Sequence, residues 1–460
     1  MNNAFRPTDT TEQRRKGRKD MVGSGLRKNR FLRHLTHGSG VTILLFALSL
    51  AACDNPSSSH VSGDNKNLTL ATELPISQPA EHDVGIAIQN GAALAVQENS
   101  DLGGGYHLTF KPYDDSTSKA GGHDPNKGRA NIEDMVKNPQ IMAVIGPYNS
   151  SVAAAEIPVV NNSGGPVLIS PANTNPGLTL RDQASANGLD FNQLHPAHHR
   201  DFYFRIPSND VVQGRLLANI CLASTAVKGI GAKSAFVLHD NQVYGIGLAK
   251  TFSDAFTAGG GRLVGASTLV SKDQIATFSH LAATIVALHP DVIFFGGNPG
   301  EGAGELKQAV AAAGAPNTLW VVGDAMVNQS SWFSEAGTAA AGIFGTVAGP
   351  ELKTLSSAST FVAKYRNAFK TDPLPYSAYA YDSVMMIISA MKATIASGQP
   401  VTRESIRARI AASSYTGVTG TTTFDADGDN AGSKAFSIWA VLPTSATTWS
   451  LEQNVDAGFI

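Results

Sequence analysis

The sequence predicts an α/β fold built from two doubly wound, Rossmann-like lobes. Short strand-like segments of continuous apolar character alternate with longer helix-like segments. Such strands are typical of parallel sheets that helices cover on both faces. The alternation restarts after residue 200, and two separate series predict two lobes.

The two series follow one another along the chain. The first has strand-like segments at 68–71, 106–115, 141–146 and 167–170, and helix-like segments at 84–99, 131–138 and 152–162. The second has strand-like segments at 234–240, 262–270, 291–297 and 318–324, and helix-like segments at 244–259, 278–289 and 305–314. Both alternations predict βαβ units and hence parallel sheets.

The N-terminal segment is expected to be removed before the protein folds. Residues 1–40 are rich in Lys and Arg, and the apolar run 41–52 is too short to span a bilayer but fits a signal-peptide core. The run ends in Leu50-Ala51-Ala52-Cys53, which resembles the lipobox of bacterial lipoproteins, whose cysteine takes a palmitate-bearing lipid. The alternative is an ordinary buried cysteine at a helix end. We therefore predict a lipoprotein signal peptide with its lipidated Cys53 over 1–53, and a flexible tether over 54–67.

The charge of the chain argues against a nucleic-acid-binding protein, and its cysteine content argues against a disulfide-stabilised one. The chain has 35 Lys and Arg against 37 Asp and Glu, and removal of the basic leader leaves it distinctly acidic. An acidic protein is a poor match for nucleic acid. Cys221 has no partner once Cys53 is lipidated, so no disulfide is expected.

Polar segments follow the predicted strands where each strand ends. They are IGPYNSS (145–151), ISPANTNP (169–176), HDNQVYG (239–245), FFGGNPGEG (294–302) and VGDAMVN (322–328). Ligands of open α/β sheets bind outside the carboxyl ends of the strands. These segments are therefore expected to face a cleft between the lobes.

The same segments carry a resemblance to a known family. Together with RIPSNDVVQG (205–214) and TFDADGD (423–429), they resemble the periplasmic branched-chain amino-acid-binding proteins, the type I solute-binding components of ABC importers. The resemblance runs from about Leu68 to Phe436. It implies that three crossovers join the lobes, near Ser208, near Gly349 and around the turn at 425–430. The implied N-terminal lobe is 68–208 with 349–430, and the C-terminal lobe is 209–348 with 431–460.

The resemblance also implies a ligand site. Ser150 and Thr174 would hold an α-carboxylate, and a helix N-terminus favours such an anion. The α-ammonium would meet the Ala172 carbonyl, the Thr174 hydroxyl and the Asp324 carboxylate, since a buried cation needs an opposing charge. Tyr244 would close over the ligand, and Asp210 would lie at the rim of the cleft. Ser150 also fits a plain helix N-cap, Asp324 a strand-end turn residue and Tyr244 a packed aromatic.

Two departures from the family pattern concern the ligand's side chain. The first is Asn298, which stands where the family has an aromatic residue. Asn298 and Asn173, in the loop at 171–174, are nevertheless predicted to bind the ligand. The segment 71–85 lacks the family's Gly-rich turn and any aromatic residue. Selectivity for a branched aliphatic side chain therefore does not follow from the resemblance.

The predicted function is that of an extracytoplasmic solute-binding lipoprotein. It would capture an amino acid or a related small polar solute by domain closure, as a monomer without cofactor or metal, and deliver it to an ABC permease and ATPase. One alternative is a sensory receptor of the same fold for an amide, urea or small acid. A lipid-anchored hydrolase is a third hypothesis, but the sequence has no GxSxG, HExxH or closely paired acid–base motif.

Three further motifs have structural explanations. The segment 181–201, with His195, His198 and His199, is expected to be a solvated surface insertion, because the histidine spacing fits no common zinc site. DADGDN (425–430) lacks the glycine and the glutamate of a calcium loop, and a hairpin turn is expected. The pair His239-Asp240 is expected to be a hydrogen-bonded strand end, since no nucleophile motif accompanies it.

Overall fold

A computed structural model describes residues 66–196, 201–223, 229–432 and 434–457. The predicted signal peptide with Cys53 and most of the predicted tether lie outside the described residues, as do His198 and His199.

The first part of the chain builds a six-stranded sheet. Its strands and those of a small neighbouring ribbon are β1 Asn67–Leu74, β2 Asp101–Gly103, β3 Tyr106–Asp114, β4 Ser116–Thr117, β5 Gly122–His123, β6 Ile141–Ile145, β7 Val167–Ser170 and β8 Tyr203–Arg205. The helices are α1 His82–Glu98, α2 Pro125–Lys137, α3 Ser150–Ser163, α4 Arg181–Ala184 and α5 Phe191–Leu194. The strand order is β2-β3-β1-β6-β7-β8, with every pair parallel except β2 and β3.

The middle of the chain builds a second sheet. Its strands are β9 Ser234–His239, β10 Arg262–Leu269, β11 Val292–Gly296, β12 Leu319–Val322 and β13 Ile343–Ala348. The helices are α6 Asp210–Leu222, α7 Val243–Ala258, α8 Phe278–Leu288, α9 Ala303–Ala312 and α10 Ser331–Ala336. These five strands are parallel in the order β10-β9-β11-β12-β13.

The last part of the chain contributes helices that pack on the first lobe and strands that join the second sheet. Its elements are α11 Ser359–Phe369, α12 Pro375–Ala396, α13 Arg403–Ala411, β14 Ser414–Gly417, β15 Gly420–Thr423, β16 Ala435–Val441 and β17 Ser450–Asp456. Helix α12 packs on α1, and α13 packs on β6 and β7 of the first sheet. Strands β16 and β17 then extend the second sheet as antiparallel strands next to β13. The chain thus passes between the sheets three times, after β8, after β13 and before β16.

The buried central strands explain why the alternation is visible in the sequence. All five residues of β6 and all five of β11 are buried, because helices cover both faces of each sheet. The predicted fold class of two doubly wound lobes is confirmed. The assignment of exact residue boundaries to the two lobes stays a prediction. Within the described residues, no helix combines the length and apolar character needed to cross a membrane.

The predicted insertion at 181–201 is not a simple solvated loop. It forms the short helices α4 and α5, and Phe191, Leu194 and His195 are buried. His195 Nε2 lies 2.7 Å from the carbonyl oxygen of Leu178, and Nδ1 lies 3.0 Å from an Asp201 carboxylate oxygen. The prediction was wrong for this histidine, because irregularly spaced apolar residues dock the segment onto the lobe.

The turn at 425–430 fastens two of the crossovers together. It is closed by an antiparallel bridge between Phe424 and Asn430, as expected for a hairpin turn. Arg205, at the end of β8, is wholly buried, and its Nε and Nη2 donate to the two Asp429 carboxylate oxygens at 2.7 and 2.9 Å. Nη1 donates to the Asn175 carbonyl and Nη2 also to the Thr179 hydroxyl, each at 2.6 Å. All three nitrogens of this buried guanidinium therefore have partners.

Candidate functional site

Segments at the carboxyl ends of five parallel strands meet in one small cavity. The segments follow β6 and β7 of the first sheet and β9, β11 and β12 of the second, and the cavity volume is about 10 Å³. Six predicted site residues line it, namely Ser150, Ala172, Thr174, Tyr244, Asn298 and Asp324, together with Tyr148, Asn149 and Ala325. Asp324 is the acidic residue of this lining, and no Lys, Arg or His belongs to the lining among the described residues.

Ser150 lies at the N-terminus of a long helix. It is the first residue of α3, and Asn149 occupies the N-cap position, one residue earlier than the N-cap interpretation of Ser150 supposed. The loop can turn here because Gly146 has a φ of 136°, and a Cβ at that position would lie 2.2 Å from the Glu73 carbonyl oxygen. The free amides of the first helical turn and the Ser150 hydroxyl thus border the cavity.

The loop after β7 is held by its own serine. The Ser170 hydroxyl accepts hydrogen bonds from the backbone amides of Ala172 at 3.2 Å and Asn173 at 2.8 Å. The Asn173 side chain donates to the Tyr148 carbonyl at 2.8 Å and accepts from the Tyr203 hydroxyl at 3.0 Å. Asn173 is therefore not in the cavity lining, and its side chain braces the loop that presents Ala172 and Thr174.

Asp324 lies on the opposite wall beneath two tyrosines. It is buried, and its carboxylate accepts a hydrogen bond from the Tyr244 hydroxyl at 2.9 Å and another from the Tyr376 hydroxyl. Burial raises the pKa of Asp324, whereas the hydrogen bonds from Tyr376 and Tyr244 act to lower it. Tyr376 is the second residue of α12, a helix that packs on the first lobe, so its hydroxyl reaches this wall from that lobe.

Asp210 is wholly buried, not at the rim of the cleft. It begins α6, and its backbone amide donates to the Thr174 carbonyl at 2.8 Å. Burial raises the pKa of Asp210 well above its usual range, and the negative charge of Asp324 raises it further. The rim placement was therefore wrong, because the first turn of α6 is folded beneath the loop at 171–174. Two carboxyl groups thus lie close to one small cavity.

A chain of side-chain hydrogen bonds crosses from one lobe to the other beside this cavity. Asn149 Nδ2 donates to Glu81 Oε1 at 2.6 Å and to Asn298 Oδ1 at 3.2 Å. Glu81 also accepts from the backbone amide and Nδ1 of His123, and His123 Nε2 lies 2.7 Å from Gln242 Oε1. Glu81 and His123 are both buried.

The charges within this network stabilise one another. Burial would lower the pKa of His123, but Glu81 overrides that effect and raises it to about 9. Burial alone would raise the pKa of Glu81, yet the charge and hydrogen bonds of His123 hold it below its usual value. His123 is therefore protonated and Glu81 ionised at neutral pH, and both ring nitrogens of His123 act as donors.

A larger cavity of about 490 Å³ opens beyond the network. It is lined from the first lobe by Glu81, His123 and Ser151, and from the second by Gln242, Lys272 and Glu301, among others. Gln242 Nε2 donates to Glu301 Oε1 at 3.0 Å. Glu81 bonds Asn149 of the small cavity, and Pro299 follows Asn298, so the two cavities adjoin.

The other motifs have structural roles. The Asp240 carboxylate accepts from the Gln242 backbone amide at 2.9 Å and from both the backbone and side-chain nitrogens of Asn298 at 2.8 Å. His239 Nδ1 accepts from the Asn241 backbone amide, so this pair is a hydrogen-bonded strand end. In the described part of the chain, no group of three or more His, Cys, Asp or Glu side chains could hold a metal ion.

Comparisons with known proteins agree with this architecture. Residues 70–441 match the family described as periplasmic binding protein. The leucine-specific-binding protein of Salmonella typhimurium is 27% identical over 305 residues, which are 66% of this chain and 73% of that protein. The solved leucine binding protein LivK of Thermotoga maritima has a TM-score of 0.68 at 21% identity, covering 85% of this chain and 100% of that chain. A solute binding protein of R. palustris in complex with benzoate has a TM-score of 0.64 at 21% identity, covering 85% and 96%.

The fold is thus that of the type I periplasmic solute-binding proteins, with two lobes and an intervening cleft. The chain belongs to the periplasmic binding protein family. Its relatives are solute-binding proteins of transporters, which confirms the prediction of a binding protein rather than an enzyme and places its action outside the cytoplasm.

Proposed function

We propose that the protein is a lipid-anchored solute-binding component of an ABC importer that captures an amino acid or a related small polar solute. The single observation that carries the proposal is that a helix N-terminus and a buried carboxyl group border the same cavity. The N-terminus of α3 with Ser150 forms one wall, and the buried Asp324 carboxylate forms another. A zwitterion of small size would satisfy both walls at once.

Each pole of such a solute has a matching group. The α-carboxylate would accept hydrogen bonds from the amides at the start of α3 and from the hydroxyls of Ser150 and Thr174. The α-ammonium would bond the Ala172 carbonyl and the Asp324 carboxylate, which the Tyr244 and Tyr376 hydroxyls hold in place.

Capture requires the lobes to move apart and close again. The small cavity of about 10 Å³ has room for about one water molecule, whereas small-molecule sites usually measure roughly 300 Å³ or more. The three crossovers are the natural hinge, because rigid lobes can change angle there without unfolding. The lobe boundaries at 208–209, 348–349 and 430–431 are part of this proposal.

The membrane anchor and the partners complete the proposal. Lipidation of Cys53 would hold the monomeric protein on the outer side of the membrane, and the polar tether would let it reach its transporter. The closed protein would dock on an ABC permease whose ATPase drives uptake. The names of the leucine-specific-binding protein and LivK support an amino acid as the solute.

A ligand screen on the full-length protein in detergent tests the proposal. Amino acids, amides, ureas and small acids would be compared by thermal shift, with the Asp324→Ala variant as the control. A solute at 100 times its dissociation constant adds about 2.7 kcal/mol of stability and raises the melting temperature measurably. A screen in which no α-amino acid stabilises the wild type, at concentrations up to millimolar, would refute capture of an amino acid.

The alternative function is a sensory receptor of the same fold for an amide, urea or small acid, without transport. The likeness to an ABC transporter solute binding protein solved with benzoate favours only the small-acid ligand of this alternative, since benzoate has a carboxylate and no ammonium. Tight binding of such an acid that Asp324→Ala leaves unchanged would support this alternative. Stimulated ATP hydrolysis by the cognate transporter in liposomes would instead support transport.

A further inference from the structure

We propose that the captured amino acid has a side chain that donates hydrogen bonds, and that Asn149 and Asn298 select it. The inference rests on the proposed function, and it narrows the substrate class from amino acids in general to those with an amide, hydroxyl or guanidinium group. Both asparagines line the small cavity, one from each lobe.

Asn298 is fixed so that its carbonyl oxygen faces its neighbour across the cleft. Its backbone nitrogen and its side-chain Nδ2 both donate to Asp240 Oδ2 at 2.8 Å. Both Asp240 oxygens already accept a backbone N–H, from Gln242 and from Asn298, so the carboxyl acts as an acceptor and the side-chain nitrogen of Asn298 points towards it. Asn298 Oδ1 is left on the opposite side, where it accepts from Asn149 at 3.2 Å and keeps a second lone pair.

Asn149 is fixed in the same way from the other lobe. Its Nδ2 donates to Glu81 Oε1 at 2.6 Å, and Glu81 is held in place by two nitrogens of His123. Asn149 is 3% exposed, and its Oδ1 has no hydrogen-bond partner among the described residues. An unpaired buried carbonyl is unfavourable, and a donor on the ligand would satisfy it.

The lining therefore presents acceptors to the ligand's side chain. The two asparagines are held by the carboxyls of Glu81 and Asp240 behind them, and the carboxyls of Asp210 and Asp324 also lie near the cavity. A hydrocarbon side chain would leave the Asn149 oxygen without a partner, and a carboxylate side chain would be repelled. Sites built to hydrogen-bond a ligand group discriminate strongly against analogues that lack the group.

The adjoining cavity gives a donor-bearing side chain room to extend. It measures about 490 Å³ and begins directly behind the asparagine pair, at Glu81 and Pro299. A side chain that passes between the two asparagines as the lobes close would replace their mutual hydrogen bond with two bonds to the ligand. The wall of this cavity contributes a further acceptor, the Glu301 carboxyl, beside the Lys272 ammonium and His123.

Titration calorimetry on the full-length protein in detergent tests the inference. Glutamine, asparagine, threonine and arginine would be compared with leucine, isoleucine and glutamate. At least one of the donor-bearing amino acids is expected to bind about 10- to 100-fold more tightly than leucine and glutamate. The variants Asn298→Leu and Asn149→Leu should each remove most of that preference, by weakening the donor-bearing ligand while leaving leucine unchanged or tighter.

The matched control is Asn367→Leu, the same substitution at an exposed position of α11, which should change no affinity. Wild-type protein that binds leucine as tightly as every donor-bearing amino acid would overturn the inference and leave the proposed function intact. Asparagine variants that weaken all ligands equally would also overturn it. If no α-amino acid binds at all, the proposed function fails together with the inference.

Discussion

The ion pair at the crossovers and the network beside the cleft are both built from buried charges, but they connect different things. Arg205 and Asp429 join two crossovers, and every guanidinium nitrogen has a partner. The His123–Glu81 pair lies within one lobe and reaches the other lobe through the bond from His123 to Gln242 and, by way of Asn149, through the bond from Asn149 to Asn298. Movement of the two crossovers relative to each other would break bonds to a buried charge. Movement of the lobes can break the cross-lobe bonds beside the cleft and leave the His123–Glu81 ion pair intact. A hinged binding protein needs both properties.

The largest expected effect is at the crossovers. Arg205→Met leaves the Asp429 carboxylate buried without its cation, and the free energy of unfolding should fall by about 3–5 kcal/mol. Denaturant unfolding measures this loss. The double variant Arg205→Met with Asp429→Leu should recover most of it, because no unpaired charge remains. A single variant as stable as the wild type would show that the pair does not hold the crossovers.

The second effect concerns binding rather than folding. Asp324→Ala should weaken binding of the true solute by about 2–5 kcal/mol, because the buried ammonium loses its counter-charge. The variant relieves a buried carboxylate but leaves the Tyr244 and Tyr376 hydroxyls without their acceptor, so the stability of the ligand-free protein should change little. Titration calorimetry and thermal melting measure the two quantities. An unchanged affinity would remove Asp324 from the site.

The third effect is the pH dependence of the network. The pKa of His123 is raised to about 9 in the folded protein, above its unfolded value of about 6.5. Its stabilising contribution, at most about 3 kcal/mol, is therefore complete below about pH 6.5 and is lost as the pH rises through about 9. Unfolding free energies of the wild type and of His123→Asn should converge over that window. The buried carboxyls of Glu81 and Asp115 face this histidine, and Glu81→Gln should abolish the convergence.

The smallest effect isolates the cross-lobe bond. Gln242→Ala removes the contact to His123, whereas the ion pair between His123 and Glu81 remains. One hydrogen bond contributes about 1 kcal/mol, so closure should be disfavoured and ligand affinity should fall by about fivefold. Thermal stability without ligand should change little. A large loss of stability would instead mean that the network holds the fold together, like the ion pair at the crossovers.

The sequence predicted the elements that repeat and the residues at strand ends. Continuous apolar strands such as β6 and β11 are visible as patterns, because burial on both faces requires apolar residues throughout. Ser150, Thr174 and Asp324 come together because the carboxyl ends of the parallel strands of both sheets border the same cleft. Strands β16 and β17 were not predicted, since their antiparallel addition follows no alternation with helices.

The sequence did not reveal residues that act across long separations. Tyr376 bonds Asp324 from 52 positions further along the chain, and His123 bonds Gln242 from 119 positions away. Neither has a spacing rule, because tertiary packing alone joins them. Glu81 lay in the segment singled out for lacking the family's turn, and a carboxylate in that place was the available signal. Asn173 was predicted to bind the ligand because the sequence shows its place in the loop but not the direction of its side chain, which bonds Tyr148 and Tyr203 instead.

The narrow gap between the walls at Ser150 and Asp324 has a kinetic consequence. Since the solute cannot enter until the two lobes separate, the rate of diffusional encounter alone does not determine the association rate. The observed association rate should therefore level off at high solute concentration, at a ceiling equal to the frequency of spontaneous opening. Stopped-flow fluorescence would measure that opening rate directly. A variant that weakens the bonds between the lobes should raise the plateau of the association rate.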